Sequence, residues 1–487
     1  MDRIRFSDPV AQKLKEYHLP QHKKTELLSF AYGSVIELDD GSLVVLVCNP
    51  DEVFLLAADC YSRVGFAHLG VHVDVRAGIV WNGVTKGQKV VVVIDIHDHF
   101  FADEPHFSGT DDRDDLRTAF QYRMHLGQFL QPDQTLLPVS LLIARHGWAA
   151  RRVIFDGAGK PHFKPFAVDI LGEQFERHGV VDQTGQSWTA RQSAMILPRQ
   201  RASIQSMRVV IVGAGGTGSI VLETACRLEF RLINIIDGDH IESSNLNRLH
   251  GACAADVGKQ KAQFLAARGR TLFPEGRFSA TATDAFSDAA TAVLVGADLI
   301  LGCIDNAETR FYLNRLAVQF AIPYFDCGTL VQLEPQPVFH SRVNAVIPGL
   351  TRCGHCSDVE FLPRKVPDAF LDLGTLAAQR GAGYVQDHAA EQPAPAVYPL
   401  NQQVVSAMMN EVLNWICGWK PFAHSLYQRS DRLTIERLDR SNYARGPADD
   451  CPLCSSLLGT AFENKLPRRG GEVSLSNLIP DLENENG

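Results

Sequence analysis

Four of the eleven cysteines stand in two CxxC pairs late in the chain, and the other seven are scattered singly. The pairs are Cys353 with Cys356 and Cys451 with Cys454. Four thiolates in two pairs of this spacing are a usual ligand set of a tetrahedral structural zinc ion, with Zn–S distances of about 2.3 Å. Two thioredoxin-like redox motifs are the alternative. We expect a structural Zn2+ that holds the C-terminal region onto the preceding domain, because no ligand position is left for a substrate.

A glycine-rich segment, VVIVGAGGTGSIVLETACRL, lies between a predicted strand and a predicted helix. Its turn contains Gly213, Gly215, Gly216 and Gly218. Glycine allows a tight turn and lets backbone N–H groups approach phosphate oxygens at the N-terminus of a helix. Asp237 ends the next strand, where a carboxylate can accept hydrogen bonds from ribose hydroxyls. The pattern favours a nucleotide site over a turn that serves packing alone.

Polar and cationic residues follow this turn at set intervals. Asn245 and Arg248 are three residues apart and would share one face of a helical turn, and Lys261 follows 13 residues later. Asp305 comes directly after another predicted strand, at the sheet edge where a carboxylate can bind Mg2+. A solvated helix face is the alternative for each cation taken singly. Together these groups suit attack of a carboxylate on the α-phosphate of ATP, whereas hydride transfer has no use for them.

A third cluster lies in the first half of the chain. The strand-like segment KVVVVIDIHDHF carries His97 and His99, which face the same side because side chains alternate along a strand. Ser108 and Asp111 follow in HFSGTDD. Two imidazoles and a carboxylate leave one position for water, as in a catalytic zinc site, but a structural histidine pair is also open. Three nearby residues are alternatives to Asp111 as the third ligand: Asp103, His106 and Asp112.

Hydrophobic periodicity divides the chain into two α/β halves that must position these residues. In the first half it predicts strands over residues 42–48, 52–56, 89–96 and 137–144 and a helix over residues 114–130. The second half opens with a βαβ pattern: a strand over residues 208–212, a helix over 217–228 and a strand over 232–237. Further strands over residues 298–302 and 323–326 complete a mostly parallel sheet.

Composition limits the classes of function that the chain can have. The 487 residues include 47 basic and 56 acidic side chains, which gives a formal net charge of −9. Non-specific nucleic-acid binding needs clustered Lys and Arg, and no such run occurs. The apolar runs are far shorter than the roughly 20 residues that span a bilayer, and the N-terminus lacks a signal-peptide pattern. We therefore expect a cytoplasmic protein whose partners are neither nucleic acid nor membrane.

The motifs of the second half resemble the ThiF/MoeB and ubiquitin-activating-enzyme superfamily of adenylyltransferases over about residues 188 to 456. The GxGGxG turn, the DxD–SNLNR and GKxKA segments and the DN…TR motif match in order and spacing. The resemblance implies that Asp237 binds ribose and that Asp305 serves the Mg-ATP site. It also implies that Arg191 reaches the active site of a partner subunit in a homodimer. Phosphate contacts are implied for Asn245, Arg248 and Lys261, and many relatives carry the same four-cysteine zinc site.

The histidine cluster resembles the JAMM/MPN metalloprotease motif, HxH followed by SxxD. This motif is found in ubiquitin-removing enzymes and in bacterial proteins fused or adjacent to ThiF-like enzymes. It implies that Glu26 acts through a zinc-bound water as general base, while Ser108 assists the oxyanion. The sequence departs from the motif in two ways: Phe100 replaces the usual proline, and the gap from His99 to Ser108 is one residue longer than usual. A metal-free domain used only for binding stays open.

Relatives that form a thioester or persulfide use a cysteine in the segment that crosses over the active site. Here residues 357–395 contain none, and we interpret Cys327 as a small buried residue. Residues 466–471, LPRRGG, resemble the Gly-Gly ending of ubiquitin-like proteins, although a linker is the preferred interpretation. The sequence therefore predicts adenylation without a clear thioester cysteine.

These inferences define an α/β protein with a JAB/MPN-like domain at residues 1–165 and a linker at 166–187. A Rossmann-like, mostly parallel-sheet adenylation domain with the zinc site follows at 188–456, then a flexible tail at 457–487. The implied function is adenylation of the C-terminal glycine of a ubiquitin-like protein, with zinc-dependent processing or deconjugation of that protein. A conjugating enzyme and a bacterial antiviral role are further implications. The alternatives are activation of a sulfur-carrier protein in cofactor or cysteine biosynthesis, and a scaffold whose first domain only binds.

Overall fold

The computed structural model describes residues 1–20, 26–56, 73–181, 190–333, 336–357, 396–431, 434–439, 446–448, 451–463 and 466. The chain forms two compact units. The N-terminal unit comprises residues 1–172, 176–180 and 459–461, and the C-terminal unit comprises the other described residues. The crossover segment beyond Ser357 and the Gly-Gly ending beyond Leu466, both considered above, lie outside the described residues. Within the described part of the chain, no helix has the length and apolarity needed to cross a membrane.

The N-terminal unit is built on one mixed sheet. Its strands are β1 (Arg3–Ser7), β2 (Leu28–Ala31), β3 (Ser34–Glu37), β4 (Leu43–Val47), β5 (Val53–Leu55), β6 (Val90–Asp98), β7 (Thr135–Ala144), β8 (Gly147–Phe155), β9 (Pro161–Leu171) and β10 (Phe175–His178). Its helices are α1 (Asp8–His18), α2 (Val73–Thr85) and α3 (Gly109–Gln121), and a π-helical turn over Tyr122–Leu126 continues α3. The strand order is β3-β4-β1-β9-β8-β7-β6-β2-β5, and β10 pairs with β9.

Strand β6 lies inside this sheet and has an apolar layer on each face. Val92, Ile94 and Ile96 belong to a core that also contains residues of α1. Val91 and Val93 belong to a second core with residues of α2 and of the π-helical turn. Because side chains alternate along a strand, His97 and His99 continue the α2 face, whereas Asp98 continues the α1 face.

The strands predicted in the first half are confirmed to within two residues at each end, as β4, β5, β6 and β7. The helix predicted over residues 114–130 begins earlier, at Gly109, because Ser108 is its N-cap and pairs with Asp111 in a capping box. Strand β9 carries the N-terminal unit past the predicted boundary at residue 165, since Phe166, Val168 and Ile170 are core residues. The functions assigned to the domains stay predictions.

The C-terminal unit is also α/β. Its strands are β11 (Arg208–Val212), β12 (Leu232–Ile236), β13 (Arg277–Thr281), β14 (Leu299–Gly302), β15 (Tyr324–Gln332), β16 (Val338–Val346), β17 (Ser425–Ser430) and β18 (Ile435–Asp439). Its helices are α4 (Pro198–Ser206), α5 (Gly216–Arg227), α6 (Lys261–Leu272), α7 (Asp288–Val295), α8 (Ala307–Gln319), α9 (Tyr398–Cys417) and α10 (Pro452–Ser456).

The sheet of this unit has the order β13-β12-β11-β14-β15-β16-β17-β18. Pairing is parallel from β13 to β15 and antiparallel from β15 to β18. The prediction of a parallel sheet is therefore confirmed for its first part, and the antiparallel extension was not predicted. The chain leaves β11 towards β12 and later returns beside β11 as β14. This reversal makes a crevice at the carboxyl ends of β11 and β14, where open α/β sheets bind their ligands.

Candidate functional site

A cavity of about 640 Å³ lies at these carboxyl ends. It has the size of an ordinary cofactor or substrate pocket. Its lining includes seven residues that the sequence singled out: Gly213, Gly215, Gly216, Asp237, Arg248, Lys261 and Asp305. These seven residues, which are separated by up to 92 positions in the sequence, thus line one cavity. The structure does not bring the other predicted residues of the nucleotide site, Gly218, Asn245 and Arg191, into this lining.

Two glycines of the turn are required by space and backbone conformation. Gly213 has a φ of +95°, and a Cβ atom there would lie 2.4 Å from the carbonyl oxygen of Cys303. A Cβ atom at Gly218 would lie 1.9 Å from the carbonyl oxygen of Gly213. Gly215, by contrast, has open space beside it and precedes Gly216, the first residue of α5. Gly215 and Gly216 thus line the cavity at the N-terminus of a helix, where backbone N–H groups without partners inside the helix can bind phosphate.

The predicted ribose ligand, Asp237, lies just past the end of β12. Its carboxylate accepts hydrogen bonds from the backbone N–H groups of Ala214, at 2.7 Å, and Asp239, at 2.8 Å. Burial nevertheless raises the pKa of Asp237 above its usual value. Lys261 begins α6 on the same side, and its Nζ lies 2.9 Å from a carboxylate oxygen of Asp239. A carboxylate and a cation thus lie on the same side of the cavity, and their ribose and phosphate roles stay predictions.

The second predicted cation, Arg248, is held by local hydrogen bonds. Its Nη1 donates to the carbonyl oxygen of Ser244 at 2.8 Å. Asn245 is 9 % exposed, and its side-chain oxygen accepts the N–H of Glu242 at 3.1 Å, so it shapes the turn that precedes Arg248. Arg191 is exposed on a short 3-10 turn and does not line the cavity. The phosphate role of Asn245 and the partner-subunit role of Arg191 stay predictions.

Asp305 is exposed between β14 and α8, and a buried ion-pair group supports its loop. Arg310 donates to the carbonyl oxygens of Ile304 and Asp305, the latter at 3.3 Å. The same arginine lies 3.2 Å from the carboxylate of Asp326, which is 1 % exposed and also lies 3.1 Å from Arg342. These interactions hold the backbone at Asp305, which is an exposed residue of the cavity lining. The sequence motif included Arg310, but nothing in the spacing identified its partner.

Asn401 near the start of α9 is a further lining residue that sequence reasoning missed. Its side chain is 4 % exposed and lies against the glycine turn, so that a Cβ atom at Gly216 would meet its Nδ2 at 2.5 Å. The hydroxyl of Thr329 donates to its Oδ1 at 3.4 Å. The cavity therefore includes a residue from the far side of the crossover segment, which no local pattern could have linked to the glycine turn.

The two CxxC pairs meet as predicted, in one cluster. The Sγ–Sγ distances are 3.7 Å for Cys353 and Cys451, 3.9 Å for Cys353 and Cys356, and 3.8 Å for Cys356 and Cys454. A regular tetrahedron with Zn–S bonds of about 2.3 Å has edges of about 3.8 Å. A disulfide would instead need about 2.05 Å. The four cysteines therefore fit a tetrahedral metal ion with no open position.

Replacing Cys451 by serine is expected to remove one zinc ion per chain and to lower the melting temperature of the C-terminal unit. Loss of one thiolate leaves three crowded, largely buried sulfur atoms without the cation that would stabilise their charge. We expect a decrease of about 10 °C or more. Elemental analysis and calorimetry measure both effects. Cys253→Ser, which changes an exposed thiol of the same unit, is the control. Equal zinc content and melting temperature in the two variants would contradict a metal site.

In the N-terminal unit, His97, His99 and Asp111 form a second possible metal-binding cluster. The Nε2 atoms of His97 and His99 lie 3.3 and 3.5 Å from the two carboxylate oxygens of Asp111. The Nε2 atom of His97 is buried and, among the described residues, has no hydrogen-bond partner of good geometry. Glu26 Oε1 lies 4.0 Å from His99 Nε2. The Nε2 atoms of His97 and His99 and the carboxylate of Asp111 offer three ligands, and the carboxylate of Glu26 lies beside them. This set fits a zinc ion with one open position.

The pKa values of the two histidines are shifted in opposite directions. Burial acts to lower the pKa of His97, but the adjacent carboxylate of Asp111 outweighs it and the net shift is upward. Burial and the neighbouring His97 lower the pKa of His99. Asp111 has a pKa well below its usual value, since interactions with His97 and Ser108 outweigh burial. These directions favour the anion at Asp111 and the neutral imidazole at His99, which are metal-binding forms, whereas at His97 they favour the protonated form, whose proton a metal ion would have to displace.

Ser108 and Asp111 are linked by the capping box of α3. The Oγ of Ser108 accepts the N–H groups of Thr110 and Asp111 at 3.2 and 3.3 Å, and its own N–H donates to Asp111 Oδ2 at 2.5 Å. These bonds use Oγ only as an acceptor, so its O–H can still be donated to a reacting oxygen. The box also orients Asp111 towards the histidines. Local helix capping thus explains how a serine and an aspartate three residues apart belong to one site.

Two of the three alternative ligands are paired elsewhere. Asp103 lies 3.3 Å from Arg145, and Asp112 lies 2.7 Å from Arg151. Among the described residues of the N-terminal unit, the ligand atoms that lie close enough to bind one metal ion are those of His97, His99 and Asp111. Metal binding at this cluster, and the choice of Asp111 over His106, stay predictions.

Asp98 lies between the two histidines in sequence but faces the opposite side of β6. Its Oδ2 forms a hydrogen bond of 2.8 Å with His18 Nδ1, and His18 Nε2 forms one of 2.7 Å with the hydroxyl of Ser29. All three side chains are 0 % exposed, so this Ser-His-Asp series cannot reach a substrate. Asp98 Oδ2 also accepts the backbone N–H of Leu27 at 3.0 Å. Through this bond, Asp98 holds the end of β6, which carries His97, close to Leu27 and therefore close to Glu26.

The C-terminal unit has a parallel sheet with a glycine turn, an acidic residue after β12 and two cations at its carboxyl edge. This arrangement is typical of nucleotide-binding α/β proteins. A model of the ThiF family matches residues 189–453, more than half of the chain, and the chain therefore belongs to the ThiF family.

Several characterised proteins are similar to this chain. The NEDD8-activating enzyme E1 catalytic subunit of Saccharomyces cerevisiae is 31% identical over 165 residues, which is 32% of this chain and 52% of that protein. The SAMP-activating enzyme E1 of Haloferax volcanii is 29% identical over 34% of this chain and 56% of its own length. The sulfur carrier protein ThiS adenylyltransferase of Bacillus subtilis is 30% identical over 34% and 47%. The chain thus spans about half the length of these relatives. A crystal structure of E. coli MccB gives a TM-score of 0.42 at 19% identity, over 57% of this chain and 74% of that one.

Proposed function

We propose that the C-terminal unit adenylates the C-terminal carboxylate of a ubiquitin-like or sulfur-carrier protein and releases pyrophosphate. The observation that carries this proposal is the single cavity in which the glycine turn, Asp237, Arg248, Lys261 and Asp305 converge. Membership of the ThiF family supports it, as do the activities in the names of the similar proteins.

In this mechanism the protein positions the reactants and neutralises charge. The backbone N–H groups at the start of α5 bind phosphate oxygens, and Asp237 accepts the ribose hydroxyls. Arg248 and Lys261 stabilise the negative charge that develops as the carrier carboxylate attacks the α-phosphate and pyrophosphate leaves. Asp305 would hold a Mg2+ ion, which supplies further neutralisation of the triphosphate when bound. Arg310 keeps the Asp305 loop in place through its bonds to the loop carbonyls.

Pyrophosphate exchange into ATP tests this activity. The full chain should exchange labelled pyrophosphate only when a carrier protein ending in Gly-Gly is present, because the acyl-adenylate must form before it can be reversed. A carrier protein from the same organism is the proper substrate, and the same carrier lacking its last glycine is the control. Absence of exchange with the authentic carrier would remove the adenylation proposal.

We propose for the N-terminal unit a JAMM-type metallopeptidase that cuts a carrier precursor or conjugate after its terminal glycine. The cluster of His97, His99 and Asp111, with Glu26 at 4.0 Å from His99, carries this proposal. When bound there, Zn2+ would polarise a water molecule and the scissile carbonyl. Glu26 is placed to take a proton from that water, and Ser108 is exposed with its O–H available to donate to the oxyanion.

A carrier with a short C-terminal extension provides the assay for this second activity. The full chain should release the extension, and a chelator should stop the reaction until Zn2+ is restored. Release that resists prolonged chelation would argue for another chemistry. Binding of the carrier without any cleavage would favour the scaffold alternative for this unit.

The class of carrier decides between conjugation and sulfur transfer. We infer a ubiquitin-like carrier because a processing site for the same Gly-Gly end would serve a modifier that is attached and removed. The cytoplasm is the compartment we propose, since its reducing conditions keep four thiols available for metal. Transfer of the activated carrier to a conjugating enzyme supports this choice, whereas formation of a carrier thiocarboxylate with a sulfur donor supports the alternative.

A further inference from the structure

Arg151 of β8 is a buried cation near the histidine cluster. Its guanidinium carbon lies 3.7 Å from the ring centroid of Phe107 and 3.9 Å from that of Phe163. Its side chain is only 11 % exposed. Strand β8 is two strands away from β6 in the sheet, and Arg151 lies opposite Ser140 of the intervening β7. A charge enclosed to this degree requires matched partners, because its desolvation is costly.

The partners of Arg151 are two carboxylates of α3. Its Nη1 donates to Asp112 Oδ1 at 2.7 Å, and its Nε donates to Asp115 Oδ2 at 2.8 Å. Asp115 is itself only 14 % exposed. Both carboxylates belong to the beginning of the helix whose first turn carries Asp111. Arg151 therefore attaches this part of the helix to the sheet, one residue from a predicted metal ligand.

A second line of contacts runs from Arg151 to His97. Phe107, which stacks on the guanidinium, also packs against the His97 ring with centroids 6.1 Å apart. The same arginine thus contacts the helix that carries the carboxylate ligand and the ring that packs against a histidine ligand. The guanidinium plane makes both kinds of contact, because its edge donates to carboxylates while its faces stack on rings.

We propose that Arg151 is a positioning residue of the N-terminal metal site. It holds Asp111 and His97 at the separation at which both can bind one Zn2+ ion. This inference rests on the metal site proposed above and adds a residue that the site's sequence motif does not contain. The ligand triangle joins two elements, the end of β6 and the first turn of α3. Backbone pairing holds β6 in the sheet, so the attachment of α3 to the sheet sets the distance between the ligands.

If Arg151 only stabilised the fold, its substitution would have a different effect on zinc affinity. Removal of a buried cation commonly lowers stability whatever lies nearby, and such a loss would leave metal affinity unchanged as long as the unit stays folded. Partners of metal ligands, by contrast, typically change metal affinity by about 10- to 100-fold when they are substituted. Zinc affinity of the folded protein therefore separates the two roles without any assay of cleavage.

The test titrates the full chain with Zn2+ against a chromophoric chelator. The transition that disappears in His97→Ala belongs to the N-terminal site, and the remaining one belongs to the four cysteines. Arg151→Lys keeps the charge but loses the planar fork, and we expect it to weaken the His97-dependent transition by about 10-fold or more. The other transition should not change. Arg145→Lys is the matched control, because Arg145 forms an exposed pair with Asp103, at 53% and 68% exposure.

The outcomes distinguish this inference from the metal site itself. Wild-type affinity in a folded Arg151→Lys protein would overturn the positioning role and leave the metal site standing. Absence of any His97-dependent transition in the wild-type protein would overturn both. If Arg151→Lys does not fold, Asp115→Asn removes one carboxylate while leaving the arginine, and it should weaken the same transition. An unchanged affinity in that folded variant would equally overturn the proposal.

Discussion

Replacing His97 by alanine is expected to reduce release of a C-terminal extension from the carrier to below about 0.1% of the wild-type rate. The substitution removes one of three ligands from a cluster whose nitrogen and carboxylate atoms all lie within 4.8 Å of one another. The two that would be left, His99 and Asp111, are too few to hold a catalytic zinc ion firmly. A chromatographic assay of the trimmed carrier measures the effect.

Two further variants make this prediction specific. His162→Ala changes a histidine of the same unit that is 47% exposed and pairs with Asp156, and it should trim at the wild-type rate. Glu26→Gln should retain the zinc ion but lose most of the trimming, because the general base is lost and the ligands are not. Trimming by His97→Ala at the wild-type rate would show that the cluster does not carry the reaction.

Replacing Lys261 by alanine is expected to lower carrier-dependent pyrophosphate exchange by about 100- to 1,000-fold. Lys261 lines the cavity, with a side chain that is 13% exposed, and it is placed to stabilise charge on the phosphates. Loss of its charge also leaves Asp239 without its cation beside the site, which adds repulsion towards ATP. Initial rates at saturating ATP separate this effect from weaker binding.

Lys259 provides a close control for this prediction. It stands two residues earlier, is 57% exposed, pairs with Asp256 at 2.7 Å and does not line the cavity. Lys259→Ala should therefore exchange pyrophosphate at the wild-type rate. Equal losses in the two variants would mean that overall charge matters here, and would remove the assigned role of Lys261.

The parts of the sites that the sequence predicted are those that local rules govern. His97 and His99 share a face because strand side chains alternate. The turn between β11 and α5 needs glycine because its backbone has a positive φ at Gly213. The cysteine spacing likewise predicted a four-sulfur cluster, although sequence alone could not give its distances. Each of these patterns involves residues that are close together in the sequence, so the local sequence is sufficient to predict it.

The parts that the sequence did not predict depend on long-range pairing. Arg151 meets α3 only because β8 lies beside β7, and Asn401 reaches the glycine turn from a helix that begins at Tyr398. Asp326 is buried between two arginines from separate elements, α8 and β16. Such contacts are set by the strand order, which periodicity does not encode. The start of α3 was misplaced for a smaller reason, since the polar run before residue 114 concealed the N-cap at Ser108.

The distance along the chain between the cysteine pairs also bears on protein synthesis. Cys353 and Cys451 are 98 residues apart, and so are Cys356 and Cys454. At translation rates of about 5 to 20 residues per second, the first pair would wait roughly 5 to 20 seconds for the second. During that interval two thiols are exposed to oxidation or to other metals. A four-cysteine metal site can be completed only after α10 has been made, so we expect metal loading to be a late step in the folding of the C-terminal unit.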